Sequence, residues 1–66
     1  MMQVFINDQA HNLQGQDVSA LLQEIGAAPE RVVVVVNGTV VPQAQRTGYA
    51  LHAQDRIDMF TFAGGG

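Results

Sequence analysis

His11 and His52 are the side chains of this chain best suited to proton transfer or metal binding near neutral pH. They stand far apart, neither has a second ligand at metal-site spacing, and neither neighbourhood offers a serine poised for a triad. Both read as surface histidines. The chain has no cysteine, so it lacks thiolate ligands and any sulfur nucleophile of its own. No glycine-rich phosphate loop follows a strand, and 66 residues leave no room for a deep cleft. An enzyme in its own right is therefore not expected. Asp8, Glu30, Asp55 and Asp58 are isolated carboxylates, suited either to solvation or to a basic partner surface. The remaining unusual feature is the closing stretch "TFAGGG". Glycine loses more backbone entropy on ordering than any other residue, so Gly64, Gly65 and Gly66 do little to hold a fold together. Taken alone, the run leaves two readings open, a frayed end or expression tail on one side and a functional terminus on the other.

The elements that lead up to it are marked by local sequence. Met2 to Ile6 is strand-like, "NDQA" (Asn7 to Ala10) supplies turn residues, and His11 to Leu13 returns as a second short strand. In "GQDVSALLQEIGAAP", Asp17 caps a helix, and Val18, Leu21, Leu22 and Ile25 recur at the spacing of one helical face. Gly26 is placed to end that helix in the left-handed conformation, and Pro29 keeps it from resuming. Five consecutive valines, Val32 to Val36, run into Asn37-Gly38, a two-residue hairpin signal, with Thr39 to Val41 as the return strand. Pro42 stops that strand because it has no N–H to donate. Gln43 to Gln54 reads as loop with a short helical turn around Ala44 to Arg46, and Arg56 to Phe62 alternates as the last strand.

There are no repeats and no linker, so residues 1–66 form a single domain, with 62–66 as a flexible tail. An apolar content of 47% is ample for a core. Three arginines and no lysine stand against six carboxylates, a net charge of −3, which suits a basic partner protein and argues against a nucleic-acid binder that relies on neutralising phosphates. No stretch approaches the roughly 18 apolar residues of a membrane helix, and "MMQVF" lacks a basic leader region. The expected location is the cytoplasm, with no membrane partner.

Strand, strand, helix, strand, short strand, loop, strand is an α+β order. With one helix laid on a mixed sheet of roughly four to five strands, it is the β-grasp arrangement of the ubiquitin-like folds. The helix is expected to link the second strand to a parallel neighbour. Alternation turns Ile57 and Met59 toward the helix, Met59 as core filler, and leaves Asp58, Phe60 and Phe62 on the outer face. Alternate residues among Val32 to Val36 must face outward too. Each fully exposed valine forgoes about 1.5 kcal/mol of burial free energy, so an outer apolar patch points to a partner surface unless loops cover it. Phe60 is the favoured anchor, with Phe62 and Asp58 beside it, because aromatic residues are enriched among interface hot spots.

The length, "GQDVSALLQEIG", "VNGTVVP" and the closing Gly65-Gly66 together resemble the small sulfur carrier proteins of thiamine (thiazole) biosynthesis, over essentially the whole chain. Asn37-Gly38 followed by Val40, Val41 and Pro42 favours the thiazole carriers over the molybdopterin carriers, which are similar in fold and tail but usually longer. The chain departs from the carriers at Gln43, where a basic residue often follows the proline. It departs again at Gln54-Asp55, where they often have Gly-Asp.

The resemblance implies a protein cosubstrate and not a catalyst. An ATP-dependent adenylyltransferase, similar to those that activate ubiquitin, would adenylate the Gly66 carboxylate. A carboxylate is a poor acyl donor, whereas an acyl-adenylate carries a good leaving group. Sulfur from a donor protein, a cysteine desulfurase or similar, would then displace AMP and leave a Gly66 thiocarboxylate for thiazole synthase. The carrier itself would bind no cofactor and no metal, the ATP being used by the partner enzyme. Gly64 and Gly65 would thread the partner's active site, since without Cβ atoms they pass a narrow channel and accept whatever backbone angles each partner imposes. Other readings stay open: a carrier for molybdopterin or another sulfur acceptor, a ubiquitin-like modifier ending in an isopeptide bond to lysine, or a passive β-grasp interaction module.

Overall fold

The computed structural model describes residues 1–61. Phe62, Gly64, Gly65 and Gly66 lie outside the described residues. The chain opens with an antiparallel hairpin of β1 (Met2–Ile6) and β2 (Gln9–Leu13), in which Ile6 faces Gln9 and Phe5 faces Ala10. Sequence patterning starts β2 at His11 and assigns all of Asn7 to Ala10 to the turn. The chain turns more tightly, because Asn7 and Asp8 both take positive φ, 47° and 69°, and complete a two-residue turn matched to the strand twist. Asn and Asp tolerate that region better than other L-residues. Gln9 and Ala10 are thereby released into the ladder.

α1 (Val18–Ile25) starts where Asp17 Oδ1 accepts the Ala20 N–H at 2.8 Å. It ends where Gly26, at φ 71°, donates to Gln23 O at 3.2 Å and Ala27 donates to Leu22 O at 3.0 Å. Val18, Leu21 and Leu22 are buried as the helical spacing requires, but Ile25 is 37% exposed. It is the last residue of the helix and lies on the rim of a groove shared with Asn7, Gln9 and His11. A 3-10 turn at Pro29–Arg31, absent from the sequence pattern, leads into β3 (Val32–Val36), which pairs with β4 (Thr39–Val41) across the Asn37-Gly38 turn. A second 3-10 turn, Gln43–Gln45, begins one residue earlier than anticipated, and β5 (Arg56–Thr61) closes the described chain.

The sheet order is β2-β1-β5-β3-β4. β3 runs in the direction of β2, yet β1 and β5 separate them, so the helix does not link parallel neighbours as the crossover expectation had it. The parallel neighbours are β1 and β5. β5 takes the central position because there its backbone is paired on both sides. The helix-facing side of the sheet supplies Val4, Leu13, Val32, Val34, Val36, Val41 and Ile57 to the core, α1 adds its three buried residues, and Leu51 comes from the β4–β5 loop. Met59 is partly buried against this core.

The long β4–β5 loop is anchored by polar groups. Arg46 is 6% exposed, and its Nη1 and Nη2 donate to Pro29 O and Val32 O, each at 2.7 Å. Asp17 Oδ2 accepts the Gly48 N–H at 2.9 Å, tying the loop to the helix cap. Glu24 performs a similar service for the β2–α1 connection, accepting from the Gln14 and Gly15 N–H groups at 3.0 and 2.7 Å and meeting His11 Nε2 at 3.1 Å. Gly15 is required there, since a Cβ would collide with the Ala20 side chain. His11 is thus a half-buried strand-to-helix contact and not a plain surface histidine, whereas His52 is 79% exposed as expected.

The Ala20 and Gly48 N–H groups hold the Asp17 carboxyl below the ordinary carboxylate range, and the Gln14 and Gly15 N–H groups do the same for Glu24. Depressed carboxylate pKa values contribute stability above the unfolded-state values, lost as pH falls through the folded-state ones. The urea midpoint should therefore hold between neutrality and about pH 5 and drop below about pH 4. Glu24→Gln should flatten part of that drop. Separately, Gln54 sits at φ 72°, in the left-handed region, while its N–H donates to Gln3 O at 2.7 Å. Gln54→Gly keeps that bond and removes the Cβ strain, so the folding free energy from urea titration should rise by about 0.5–1 kcal/mol after the added unfolded-state entropy is subtracted.

Candidate docking surface

β5 positions the groups of interest, and its own position is set from the β3–β4 turn. Asn37 donates its N–H to Arg56 O at 2.8 Å and accepts the Arg56 N–H on Oδ1 at 2.9 Å. Asn37 Nδ2 also donates to Asp55 Oδ1 at 3.0 Å, while Asp55 Oδ2 accepts the His52 N–H at 2.8 Å. Asp55 is therefore a turn-builder, its side chain 14% exposed, and not the free docking carboxylate that composition alone allows. Asp8 is likewise occupied, 2.9 Å from Arg56 Nη2.

Period-two alternation then sorts β5 as the sequence pattern requires. Ile57 is buried beneath the helix, whereas Asp58 and Phe60 are exposed on the opposite face. Phe60 is 59% exposed and stands opposite Val33, itself an exposed large hydrophobic residue. Asp58 stands opposite Val35, which in turn faces Val40, 59% exposed on the edge strand β4. Phe5 extends the same face from β1, opposite Arg56. The outward valines of β3, Val33 and the half-buried Val35, thus share one face with Phe60, and Val33 and Phe60 stand exposed there as an apolar pair. Val40 and Phe5 were not singled out by sequence patterning, because β4 is three residues long and Phe5 sits in the unbroken apolar run Val4 to Ile6, so neither strand shows a clear alternation.

Phe5, Asp8, Gln54 and Arg56 border an open groove of about 280 Å³ at one margin of this face. The exposed Arg56–Asp8 pair there contributes little to stability. Asp58 has no cationic partner among the described residues. Apolar groups around an unpaired carboxylate form a surface suited to a partner that presents apolar side chains and a basic one. Phe62, Gly64, Gly65 and Gly66, the other residues assigned to docking and to the reactive tail, lie outside the described residues. Among the described residues no three His, Asp or Glu side chains converge into a metal-holding group, and no helix is long and apolar enough to cross a membrane.

The fold and this surface can be set against known proteins. The crystal structure of a thiamine biosynthesis protein (ThiS) from Geobacter metallireducens superposes with a TM-score of 0.82 at 26% identity, covering 98% of this chain and 100% of that one. The solution structure of a thiamine biosynthesis protein from the same organism gives 0.77 at 26% identity, covering 98% of this chain and 88% of that one. In sequence, this chain is 35% identical over 66 residues to a thiazole synthase of Magnetococcus marinus. That match takes in 98% of this chain, which spans only 20% of the relative's length. A family model, that of the ThiS family, matches residues 4–66. On that match, with the five-stranded β-grasp sheet and its single helix in agreement, the chain belongs to the ThiS family.

Proposed function

We propose that this protein is a cytoplasmic sulfur carrier for assembly of the thiamine thiazole, a protein cosubstrate whose Gly66 carboxyl group carries the sulfur. The observation that carries this reading is the family match, which runs through Gly66 itself. An ATP-dependent adenylyltransferase docks on the outer face around Phe60 and Asp58. Gly64 and Gly65 thread its active site. The Gly66 carboxylate attacks the α-phosphorus of ATP, pyrophosphate leaves, and the acyl-adenylate forms. The terminal sulfur of a persulfide on a donor protein, a cysteine desulfurase or similar, displaces AMP at the acyl carbon to give an acyl disulfide, and a thiol then attacks the donor's own sulfur, forming a disulfide with it and releasing the thiocarboxylate.

Thiazole synthase is the proposed consumer of that sulfur. A protein named thiazole synthase contains a stretch similar to this whole domain. Two segments on one chain meet at high effective concentration, an arrangement that suits a donor and its acceptor enzyme. The absence of cysteine agrees with a carrier whose sulfur is held at the terminus.

The reading is tested by ATP–pyrophosphate exchange with the host's activating enzyme, with and without this protein, followed by addition of thiazole synthase. Exchange dependent on the carrier, with no conjugates of higher mass, supports it. Isopeptide conjugates to other proteins would instead identify a ubiquitin-like modifier.

A further inference from the structure

The two neighbours of β5 support it unequally. β3 accompanies it along its whole length, with Val32 opposite Thr61. β1 stops earlier, its last pair being Ile6 opposite Ile57. The backbone groups of a strand point alternately to one neighbour and the other. Arg56 bonds toward β3, through Asn37, whereas Asp55 O accepts the Phe5 N–H and Ile57 O accepts the Asn7 N–H, each at 2.9 Å, on the β1 side. Met59 faces the β1 side as well, but there the chain has already turned away through Asn7 and Asp8.

The side chain of Asn7 fills that vacancy. Met59 N–H donates to Asn7 Oδ1 at 2.8 Å, and Asn7 Nδ2 donates to Met59 O at 3.2 Å. One carboxamide thus supplies both the acceptor and the donor that a further β1 residue would have offered. Only Asn or Gln carries that pair of groups, and only the shorter one tolerates φ 47° readily. The bonded residue is two positions before the end of β5, the strand that leads to Gly66.

We propose that, given the carrier function above, Asn7 is a positioning residue: its side chain replaces a missing strand residue and fixes the line along which β5 delivers Gly66 to the activating enzyme. Asn7 touches no reacting atom. Its effect is on where the tail leaves the domain: a β5 end that frays at Met59 adds slack ahead of the residues that must reach the activating enzyme, so the reactive geometry is sampled less often.

The test compares wild type with Asn7→Gly and Asn7→Asp. Glycine keeps the left-handed turn while deleting both bonds, and aspartate keeps the acceptor for Met59 N–H but sets an oxygen against Met59 O. Amide hydrogen exchange should accelerate about tenfold or more at Met59 in Asn7→Gly, with the Asp58 and Phe60 amides, which face β3, unchanged. In adenylation, well below the melting temperature, kcat should fall about tenfold or more while KM, set by the docking face, changes less than about twofold. Asn7→Asp should recover part of kcat. Unchanged Met59 exchange, uniform loosening of all β5 amides, or a wild-type kcat in Asn7→Gly would each overturn the proposal. Should Asn7→Gly fail to fold, Asn7→Asp decides alone: Met59 exchange should stay slow because the acceptor is kept, kcat should lie below wild type, and a wild-type kcat would overturn the proposal. A wild type that is never adenylated defeats the carrier function itself, and the Met59 exchange still decides whether the clamp exists.

Discussion

Removal of Gly66 should abolish ATP–pyrophosphate exchange by the activating enzyme and leave the melting temperature unchanged. The shortened chain still ends in a carboxylate, on Gly65, so the loss would not be one of chemical type. It would be one of reach. One extended residue spans about 3.3–3.6 Å, and a nucleophile must come within about 3–3.5 Å of its target to react. With the domain held by its docking face, the Gly65 carboxylate falls a full residue short, and exchange should drop by at least about a hundredfold. Stability should be indifferent, because the core residues among those described run from Val4 to Ile57, well short of Gly66 in sequence. A truncated protein that drove exchange at the wild-type rate would contradict the assignment of Gly66.

Phe60→Asp should weaken the complex with the activating enzyme by about 2 kcal/mol or more, roughly thirtyfold in Kd, by titration calorimetry. The substitution removes an aromatic side chain that stands opposite Val33, and it puts a second carboxylate beside Asp58 on the same face. Both changes act on the surface. At 59% exposure Phe60 takes little part in the core, so the circular dichroism spectrum should persist and stability should fall by no more than about 1 kcal/mol. Affinity equal to wild type would remove this face from the docking scheme.

What the sequence revealed and what it hid divide along the range of the interactions. The helix was legible at both ends because Asp17 and Gly26 act on backbone groups within one turn of themselves. The β3–β4 hairpin was legible because Asn37-Gly38 carries its own turn geometry, with φ 50° and 85°. Phe60 and Asp58 were legible as outward residues because alternation along one strand needs no knowledge of its neighbours. The insertion of β5 between β1 and β3 was not, since pairing across fifty residues leaves no local trace. The tight Asn7-Asp8 turn was misread as four residues because Asn-Asp is a weaker signal than Asn-Gly, and with it went the bond from Asn7 to Met59. Arg46 and Asp55 look like solvated charges in the sequence. Their partners are main-chain groups of distant segments, Pro29 O and Val32 O for the first and the 52–55 turn with Asn37 for the second.

The central claim is that sulfur is loaded on Gly66, and intact-protein mass spectrometry tests it most directly. The protein is incubated with its host's activating enzyme, ATP and a sulfur source, then weighed whole and as peptides. The predicted result is a mass gain matching one oxygen replaced by sulfur, mapped to the peptide that ends in Gly66. An unchanged mass, with the enzyme shown to be active on another substrate, would contradict it.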